Sequence, residues 1–459
     1  MSNNFKAVIL AAGQGTRMKS KVPKVLHKII DKPMVDYVID ESIKAGASDI
    51  CVIIGHQSAM VKAMIGDRVK YGLQTEQLGT GHAVMQAGDF LKGDEDIAVL
   101  CGDTPLITAE TLKELADIHN AQGNSVTVVS MLLEDPTGYG RIIRTGDNFD
   151  KIVEQKDAND EEKACKEVNT GVYIFKAADL TAAFEKLTNN NAQGEYYLTD
   201  TLEIIKNNGG KVGVMVAEDP NEFLGVNSKL QLGEATTIMK KRINAFHMLN
   251  GVTLQDPENT YIGKDVKIGE DTLILPGCYI EGSTEIGSDC IIGPNSRITS
   301  SKINNCVTVQ NSTMIDAFVD NYTTVGPYAY LRPNSKIGEH VRIGDFVEVK
   351  NSTIDDGTKV SHLTYVGDSD VGKFVNFGCG TVTVNYDGKN KFRCKIGDNV
   401  FIGCNTNLVA PVEIEDNAYT AAGSTITKDV PDGSLAIARA RQENKEGWRV
   451  KAGKFKTNK

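Results

Sequence analysis

Isoleucine recurs every sixth residue through Ile262, Ile268, Ile274, Ile280, Ile286, Ile292 and Ile298. A helix buries a residue every three or four positions and a half-buried strand every second one, so a period of six suits neither. It suits a parallel β-helix, in which each branched residue points into a narrow core and a Gly or small polar residue turns the corner. Three such flats make a coil of roughly 18 residues. Ile262, Ile268, Ile286 and Ile292 are each followed by Gly. The phase resumes at Val319, Val325, Leu331, Ile337, Ile343 and Val349, and again at Ile396, Ile402, Leu408, Ile414 and, after Thr420, Ile426. A β-sandwich would need period-two alternation and longer turns. Residues 299–318 lose phase briefly, as an irregular coil would. Thr381–Lys395 is an insertion of polar, aromatic and basic side chains, and a loop leaving a regular solenoid most often binds something.

The first 225 residues follow another rhythm. Lys6–Leu10, Ile50–Ile54, Val69–Leu73, Ile97–Cys101 and Val126–Leu132 are expected strands; Met34–Ala45, Ala59–Ile65, His82–Leu91 and Thr111–Asn120 have helical spacing. That alternation predicts a mostly parallel α/β sheet covered on both faces, with ligands beyond the carboxyl ends of its strands. Between the two patterns, Leu230, Leu232, Ile238, Met239, Ile243, Phe246 and Leu249 predict one long helix stopped by Asn250-Gly251. The expected organisation is a domain at 1–227, a linker helix at 228–250, and a β-helix with a C-terminal tail at 251–459.

The 459 residues carry 50 Lys+Arg against 60 Asp+Glu, a net charge of −10, which lacks the broad positive field of a nucleic-acid binder. No apolar run approaches the roughly 18 residues that span a bilayer, and the short burst Ala7–Ala12 is no export signal. Nine scattered cysteines without a Cys-x-x-Cys pair fit reduced thiols, so a cytoplasmic location is expected.

Leu10-Ala11-Ala12-Gly13-Gln14-Gly15-Thr16-Arg17-Met18 follows the first strand. Its glycines admit an anion close to backbone N–H groups, with Arg17 and Lys24 downstream to neutralise phosphates, although an ordinary tight turn with two solvated cations explains the glycines equally well. It is neither a dinucleotide fingerprint nor a Walker A loop. Gln74 and Gly79-Thr80-Gly81 follow the third strand. Asp103 ends a central one, where a carboxylate can hold Mg²⁺ against phosphates or simply serve the turn. In the β-helix, Arg332, Lys350, His362, Tyr365, Asn376, Asn385, Tyr386 and Lys391 are side chains that regular hexads do not need. A lone His on a solenoid is usually just solvated. Here stacked coils would gather cations, a base near neutral pKa and amides beside the insertion.

LAAGQGTRM with Pro23-Lys24, QLGTGHA at 77–83, GDTPL at 102–106, YGRI at 139–142, EQKDA at 154–158, NTG at 169–171, GEYYLTD at 194–200 and GVN at 225–227 resemble the sugar-nucleotide pyrophosphorylases. Taken with the hexads, nearly the whole chain is similar to the bacterial bifunctional N-acetylglucosamine-1-phosphate uridylyltransferase/glucosamine-1-phosphate N-acetyltransferases. The resemblance implies a Rossmann-like nucleotidyltransferase domain joined to a left-handed parallel β-helix. It also implies two reactions: acetyl transfer from acetyl-CoA to glucosamine-1-phosphate, then uridylyl transfer from UTP with release of pyrophosphate. Together they supply UDP-N-acetylglucosamine for peptidoglycan and other envelope polysaccharides.

By that resemblance Leu10, Ala11, Ala12 and Gly13 border the nucleotide, Arg17 and Lys24 engage UTP phosphates, and Gln74, Gly79 and Thr80 hold the uracil. Asp103 and Asn227 ligate Mg²⁺, while Gly140, Glu154, Asn169 and Thr199 hold the sugar phosphate. At the other end His362 is the expected general base, and Arg332, Lys350, Tyr365 and Asn376 take glucosamine-1-phosphate. Asn385 and Tyr386 match sugar-contacting positions and are also expected, with Cys379, Cys404, Ala422 and Arg439, to bind acetyl-CoA. Cys379 stands where the family pattern has Ala, and Cys404 where it has Ser; a small-for-small exchange leaves the mechanism intact, whereas a reactive thiol would not. A homotrimer is also implied. Two rival expectations are a single-activity nucleotidyltransferase whose β-helix serves assembly, and a regulatory protein with a dead pyrophosphorylase domain.

Overall fold

A computed structural model describes residues 5–453. The chain divides into two compact units after Lys240, a point inside the long helix Lys229–Leu249.

The N-terminal unit is a mixed sheet. Phe5–Ala11 lies at its centre, parallel to Ala47–Ile54 on one side and Asp96–Cys101 on the other, and Lys70–Leu73 extends it in parallel. Beyond Asp96–Cys101 the long strand Glu167–Phe175 runs antiparallel, both to that strand and to Val126–Leu132. Alternate side chains of the central strand enter two cores: Ala7 and Ile9 pack with Val52 and Leu100, whereas Val8 packs with Ile53 and Val99. Burial on both faces is why these strands read as continuous apolar runs. Helices form at Met34–Ala45, Ser58–Ile65 and Ala109–Gln122 as expected. The stretch expected as one helix over 82–91 is instead the short helix Thr80–Met85 and a 3₁₀ turn at Gly88–Leu91, divided where Gly88 takes φ +55°.

In the long helix the buried line is Ala235, Met239, Ile243 and His247, at four-residue spacing, while Leu230, Phe246 and Leu249 are exposed.

The C-terminal unit is a left-handed parallel β-helix whose strands form three sheets, one per face. The hexad residues fill its axis: Ile274, Ile280, Ile292, Ile298, Ile343 and Ile402 are completely buried. The stretch 299–318 remains in register, Lys302 pairing with Phe318 and Thr308 with Thr324. Its coils are merely shortened at corners where Ser300, Asn311 and Asp316 take left-handed backbone. The insertion is real. Val382–Val384 and Cys394–Ile396 stay in the coil, and between them a small hairpin closes on a bridge from Tyr386 to Lys391. The tail carries one exposed turn of helix, Trp448–Lys451, and its last six residues lie outside those described.

Candidate active sites

At the carboxyl ends of the N-terminal strands, Leu10, Ala11, Ala12, Gly13, Lys24, Gln74, Gly79, Thr80 and Asp103 line one cavity of about 290 Å³, with Gln77 and Glu195. Two glycines are required by its shape. Gly15 has φ +61°, and a Cβ there would meet Lys24 Cβ at 2.6 Å; Gly79 has φ +111°, and its Cβ would meet the Tyr196 carbonyl at 2.6 Å. Gln74 is buried, and its Nε2 donates to the Gly79 carbonyl at 3.1 Å, which fixes the amide edge facing the cavity. Gln77, in the QLGTG run but not among the expected residues, donates to the Ala12 carbonyl (3.3 Å) and accepts from Gln14 (2.8 Å).

At the cavity's charged end the Lys24 ammonium pairs closely with Asp103 and donates to Asn227 Oδ1 at 2.9 Å. Arg17 donates to that same oxygen at 2.9 Å, and Val226 N–H bonds the Asp103 carbonyl at 2.9 Å, tying the GVN turn to the strand end. Beside them burial, with the Asp103 charge adding, pushes the Cys101 thiol up to about 12.

The expected sugar residues also converge. Thr199 Oγ1 donates to Glu154 at 3.2 Å, a Cβ on Gly140 would come within 3.4 Å of the same carboxylate, and Asn169 N–H donates to the Gly140 carbonyl at 2.9 Å. Burial raises the Glu154 carboxyl above its ordinary range, offset in part by the Thr199 bond. The Asn169 amide donates to the buried Tyr173 hydroxyl at 2.7 Å. Leu198 N–H donates to Thr80 Oγ1 at 3.1 Å, tying the segment that carries Thr199 to a residue of the cavity wall.

In the β-helix, His362 stands at the end of Lys359–His362, paired in register with Asp345 on the preceding coil. Its Nδ1 meets Asp345 Oδ1 at 3.0 Å, and that bond holds the Asp345 carboxyl below its usual range. The pairing leaves Nε2 as the outward nitrogen. Asp345 was not among the expected residues; the signal for it is an acid one coil upstream of the histidine. Glu348 was missed likewise. It accepts from Arg332 at 2.7 Å and pairs in register with Tyr365.

Lys350 and Lys391 come together. The Lys391 ammonium, with slight burial and the Arg332 charge, holds Lys350 below the ordinary lysine range. Their counter-charge is Asp368. Burial works against its carboxylate, yet bonds from Asn351 and Asn385 and the charges of Lys350 and Lys391 keep it low. Asn385 is thus buried on Asp368, while the Tyr386 hydroxyl closes the hairpin on the Gly388 carbonyl at 2.6 Å. Asn376 lies on the His362 face between Lys359 and Phe401.

The residues expected on the thioester side form a column. Val360 pairs with Phe377, Phe377 with Ile402, and Ile402 with Thr420; two residues beyond each stand His362, Cys379, Cys404 and Ala422. Backbone bonds stitch it, from Gly380 N–H to Leu363 (2.9 Å), Asn405 N–H to Cys379 (2.8 Å) and Gly423 N–H to Cys404 (2.8 Å). At its far end a Cβ on Gly423 would lie 3.7 Å from Arg439 Cδ.

Comparison with known proteins agrees with both halves. Residues 6–220 match the nucleotidyl transferase family, and residues 265–300, 316–351 and 393–428 match the bacterial transferase hexapeptide family (six repeats). The chain is 57% identical over 447 residues to the bifunctional protein GlmU of Clostridioides difficile strain 630, covering 97% of each chain. It is 57% identical over 453 residues to that of Caldanaerobacter subterraneus, covering 98% of this chain and 99% of the relative. It is 55% identical over 456 residues to that of Acetivibrio thermocellus, covering 99% of both. Two matched folds in one chain, and likeness across nearly its full length, place it in the family of bifunctional GlmU proteins.

Proposed function

We propose that each unit carries one step in making UDP-N-acetylglucosamine. The β-helix transfers acetyl from acetyl-CoA to the amine of glucosamine-1-phosphate. The N-terminal unit then joins N-acetylglucosamine-1-phosphate to the uridylyl group of UTP and releases pyrophosphate. The observation that carries this reading is the pair of separate polar constellations, one built on Lys24, Asp103 and Asn227 and the other on His362 and Asp345.

In uridylyl transfer the attacking oxygen belongs to a phosphate already anionic at neutral pH, so no general base is needed. The demand is in-line positioning and cancellation of triphosphate charge. Arg17 and Lys24 meet the charge, Gln74, Gly79 and Thr80 seat the base beside Leu10–Gly13, and Gly140, Glu154, Asn169 and Thr199 seat the sugar. Asp103 and Asn227 offer hard oxygen donors that already hold an ammonium, which is the chemistry a Mg²⁺ ion needs. Bound there, Mg²⁺ would neutralise charge on the triphosphate oxygens.

In acetyl transfer the amine must be neutral. His362 takes its proton at Nε2, and Asp345 steadies the imidazolium that results. Arg332, Lys350 and Lys391 form an anion site for the sugar phosphate, with Tyr365 and Asn376 along the sugar. Acetyl-CoA lies along the column of Cys379, Cys404 and Ala422 toward Arg439, with Asn385 and Tyr386 on the hairpin beside it. The N–H groups of Ala421 and Gly423 are engaged in the ladder at 2.9 and 2.8 Å, and Ala422 between them is the candidate to face the thioester oxyanion.

The working assembly is a trimer of this chain. Tyr328, Phe346 and Leu363 are 60, 58 and 59% exposed in one corner column adjoining His362, an apolar stripe suited to a second copy. Its location is the cytoplasm: the cysteines are all free thiols, and among the described residues no helix is long and apolar enough to cross a membrane.

The test is to give the pure protein glucosamine-1-phosphate, acetyl-CoA, UTP and Mg²⁺, and follow released thiol and pyrophosphate separately. Thiol release without UTP, and pyrophosphate release that requires either acetyl-CoA or pre-acetylated sugar phosphate, is expected. Pyrophosphate released from unacetylated sugar phosphate at an equal rate would overturn it. Light scattering at three chain masses checks the trimer.

A further inference from the structure

From the register of the β-helix we infer that Cys379 and Cys404 form a dithiol site, oxidised reversibly to a disulfide that closes the thioester groove and stops acetyl transfer. The inference rests on the reading of that column as the acetyl-CoA path. Asn376–Phe377 pairs in parallel with Phe401–Ile402, so the two cysteines occupy the same position on consecutive coils. Neighbouring strands of a sheet lie about 4.8 Å apart, inside the roughly 4.4–6.8 Å between Cα atoms that a disulfide spans.

The side chains share an orientation as well as a level. Phe377 and Ile402 are both buried inward, and Cys379 and Cys404, two residues on, are both exposed. Each is followed by a left-handed corner, Gly380 at φ +79° and Asn405 at φ +53°, so the two corners turn alike. Asn405 N–H donates to the Cys379 carbonyl at 2.8 Å, which locks the coils together at this level. The other cysteines differ: Cys51, Cys278, Cys290 and Cys394 are buried, and Cys101, Cys165 and Cys306 are partly so. The exposed thiols of the described residues are therefore this one stacked pair, one coil from the His362 imidazole.

The oxidant class is a small disulfide. Because the column is read as the path of CoA, CoA disulfide is the form best suited to reach it. The Cys379 thiolate attacks one sulfur of the oxidant, the S–S bond breaks, and one CoA leaves as thiolate. The Cys404 thiolate then attacks the Cys379 sulfur of the mixed disulfide and expels the second CoA. Two protein thiols give up two protons and two electrons, and two CoA thiols carry them away. The linked sulfurs then occupy the surface where the thioester would lie.

The test incubates the full-length trimer with CoA disulfide, and in parallel with glutathione disulfide, and reads three things: the Cys379–Cys404 linked peptide by mass spectrometry, thiol release from acetyl-CoA, and pyrophosphate release from UTP. The expected result is the linked peptide, at least a tenfold fall in acetyl transfer, unchanged uridylyl transfer, and recovery of acetyl transfer with dithiothreitol, all at lower CoA disulfide than glutathione disulfide. Cys404→Ser should instead trap a CoA adduct on Cys379, released by the same reductant. Absence of the linked peptide at complete consumption of exposed thiols, or a linked protein that acetylates at its former rate, overturns the inference. Failure of the underlying reading is distinguishable, because an enzyme with no acetyl transfer before oxidation would show it in the untreated control.

Discussion

Asp345 bonds Nδ1 of His362 at 3.0 Å while both side chains stay about half exposed, 42% and 56%. An exposed pair of this kind contributes little to folding, so on the proposed reading its value lies in fixing which imidazole nitrogen faces the substrate. Asp345→Asn is expected to lower kcat for acetyl transfer by about 10–100-fold and to shift its pH profile. KM for acetyl-CoA, uridylyl transfer and thermal stability should be little changed. Steady-state kinetics from pH 6 to 9 check this, and an unaltered profile would reduce Asp345 to a spectator. A second carboxyl acts in the opposite sense. Burial, with the charges of Glu154, Glu203 and Asp157, raises Asp200 from the usual aspartate range to about 6. The native state therefore binds more protons than the unfolded chain between about pH 4 and 6, so stability is greatest below that window and falls as pH rises through it. Asp200 remains partly solvated, so the cost at neutral pH is about 1 kcal/mol after screening. Asp200→Asn should raise the melting temperature of the N-terminal unit by a few degrees at pH 8, with about half that gain at pH 5, read by calorimetry.

Among the elements, the coil beneath His362 joins stability to function. Ile343 is completely buried, pairs with Val360, and lies two residues before Asp345 on the strand Arg342–Asp345. Removing its side chain opens a cavity that neighbouring coils cannot fill, at about 2–5 kcal/mol. Ile343→Ala should lower the β-helix unfolding midpoint and acetyl transfer together while pyrophosphate release keeps its rate. The hexads made this element legible from sequence, because one branched residue per flat is the whole of its core. The strands flanking the glycine loops were legible for a similar reason, being short apolar runs buried on both faces. Glu167–Phe175 was not, since nothing local marks a strand as antiparallel to its neighbours, and the helix expected over 82–91 hides a break at Gly88. In the sites, cations and the histidine stood out from the regular repeat. Their partners Asp345, Glu348 and Asp368 did not, because in a chain with 60 acidic residues only the register says which carboxylate meets which base.

For the whole molecule, the decisive matter is that the charged end of the nucleotide cavity and the His362 column draw on no common residue. Arg17, Lys24, Asp103 and Asn227 are joined through hydrogen bonds within the N-terminal unit, whereas within the β-helix His362 is held by Asp345, Arg332 by Glu348, and Lys350 faces Lys391 and Arg332. Loss of one set then leaves the other's hydrogen bonds untouched, and effects of changes that share no partner add. Arg17→Ala should abolish most pyrophosphate release and keep thiol release, and His362→Ala the reverse. Neither variant alone converts glucosamine-1-phosphate to UDP-N-acetylglucosamine. Mixed as separately purified proteins they should, because acetylated sugar phosphate made by the first is a free small molecule that the second can bind. The rate should rise with the concentration of either partner and show a lag while the intermediate accumulates, followed by chromatography of the nucleotide sugar. A mixture that stays inactive, although each variant keeps its own half-reaction, would mean that the intermediate is handed over without release and that the two sites depend on one another after all.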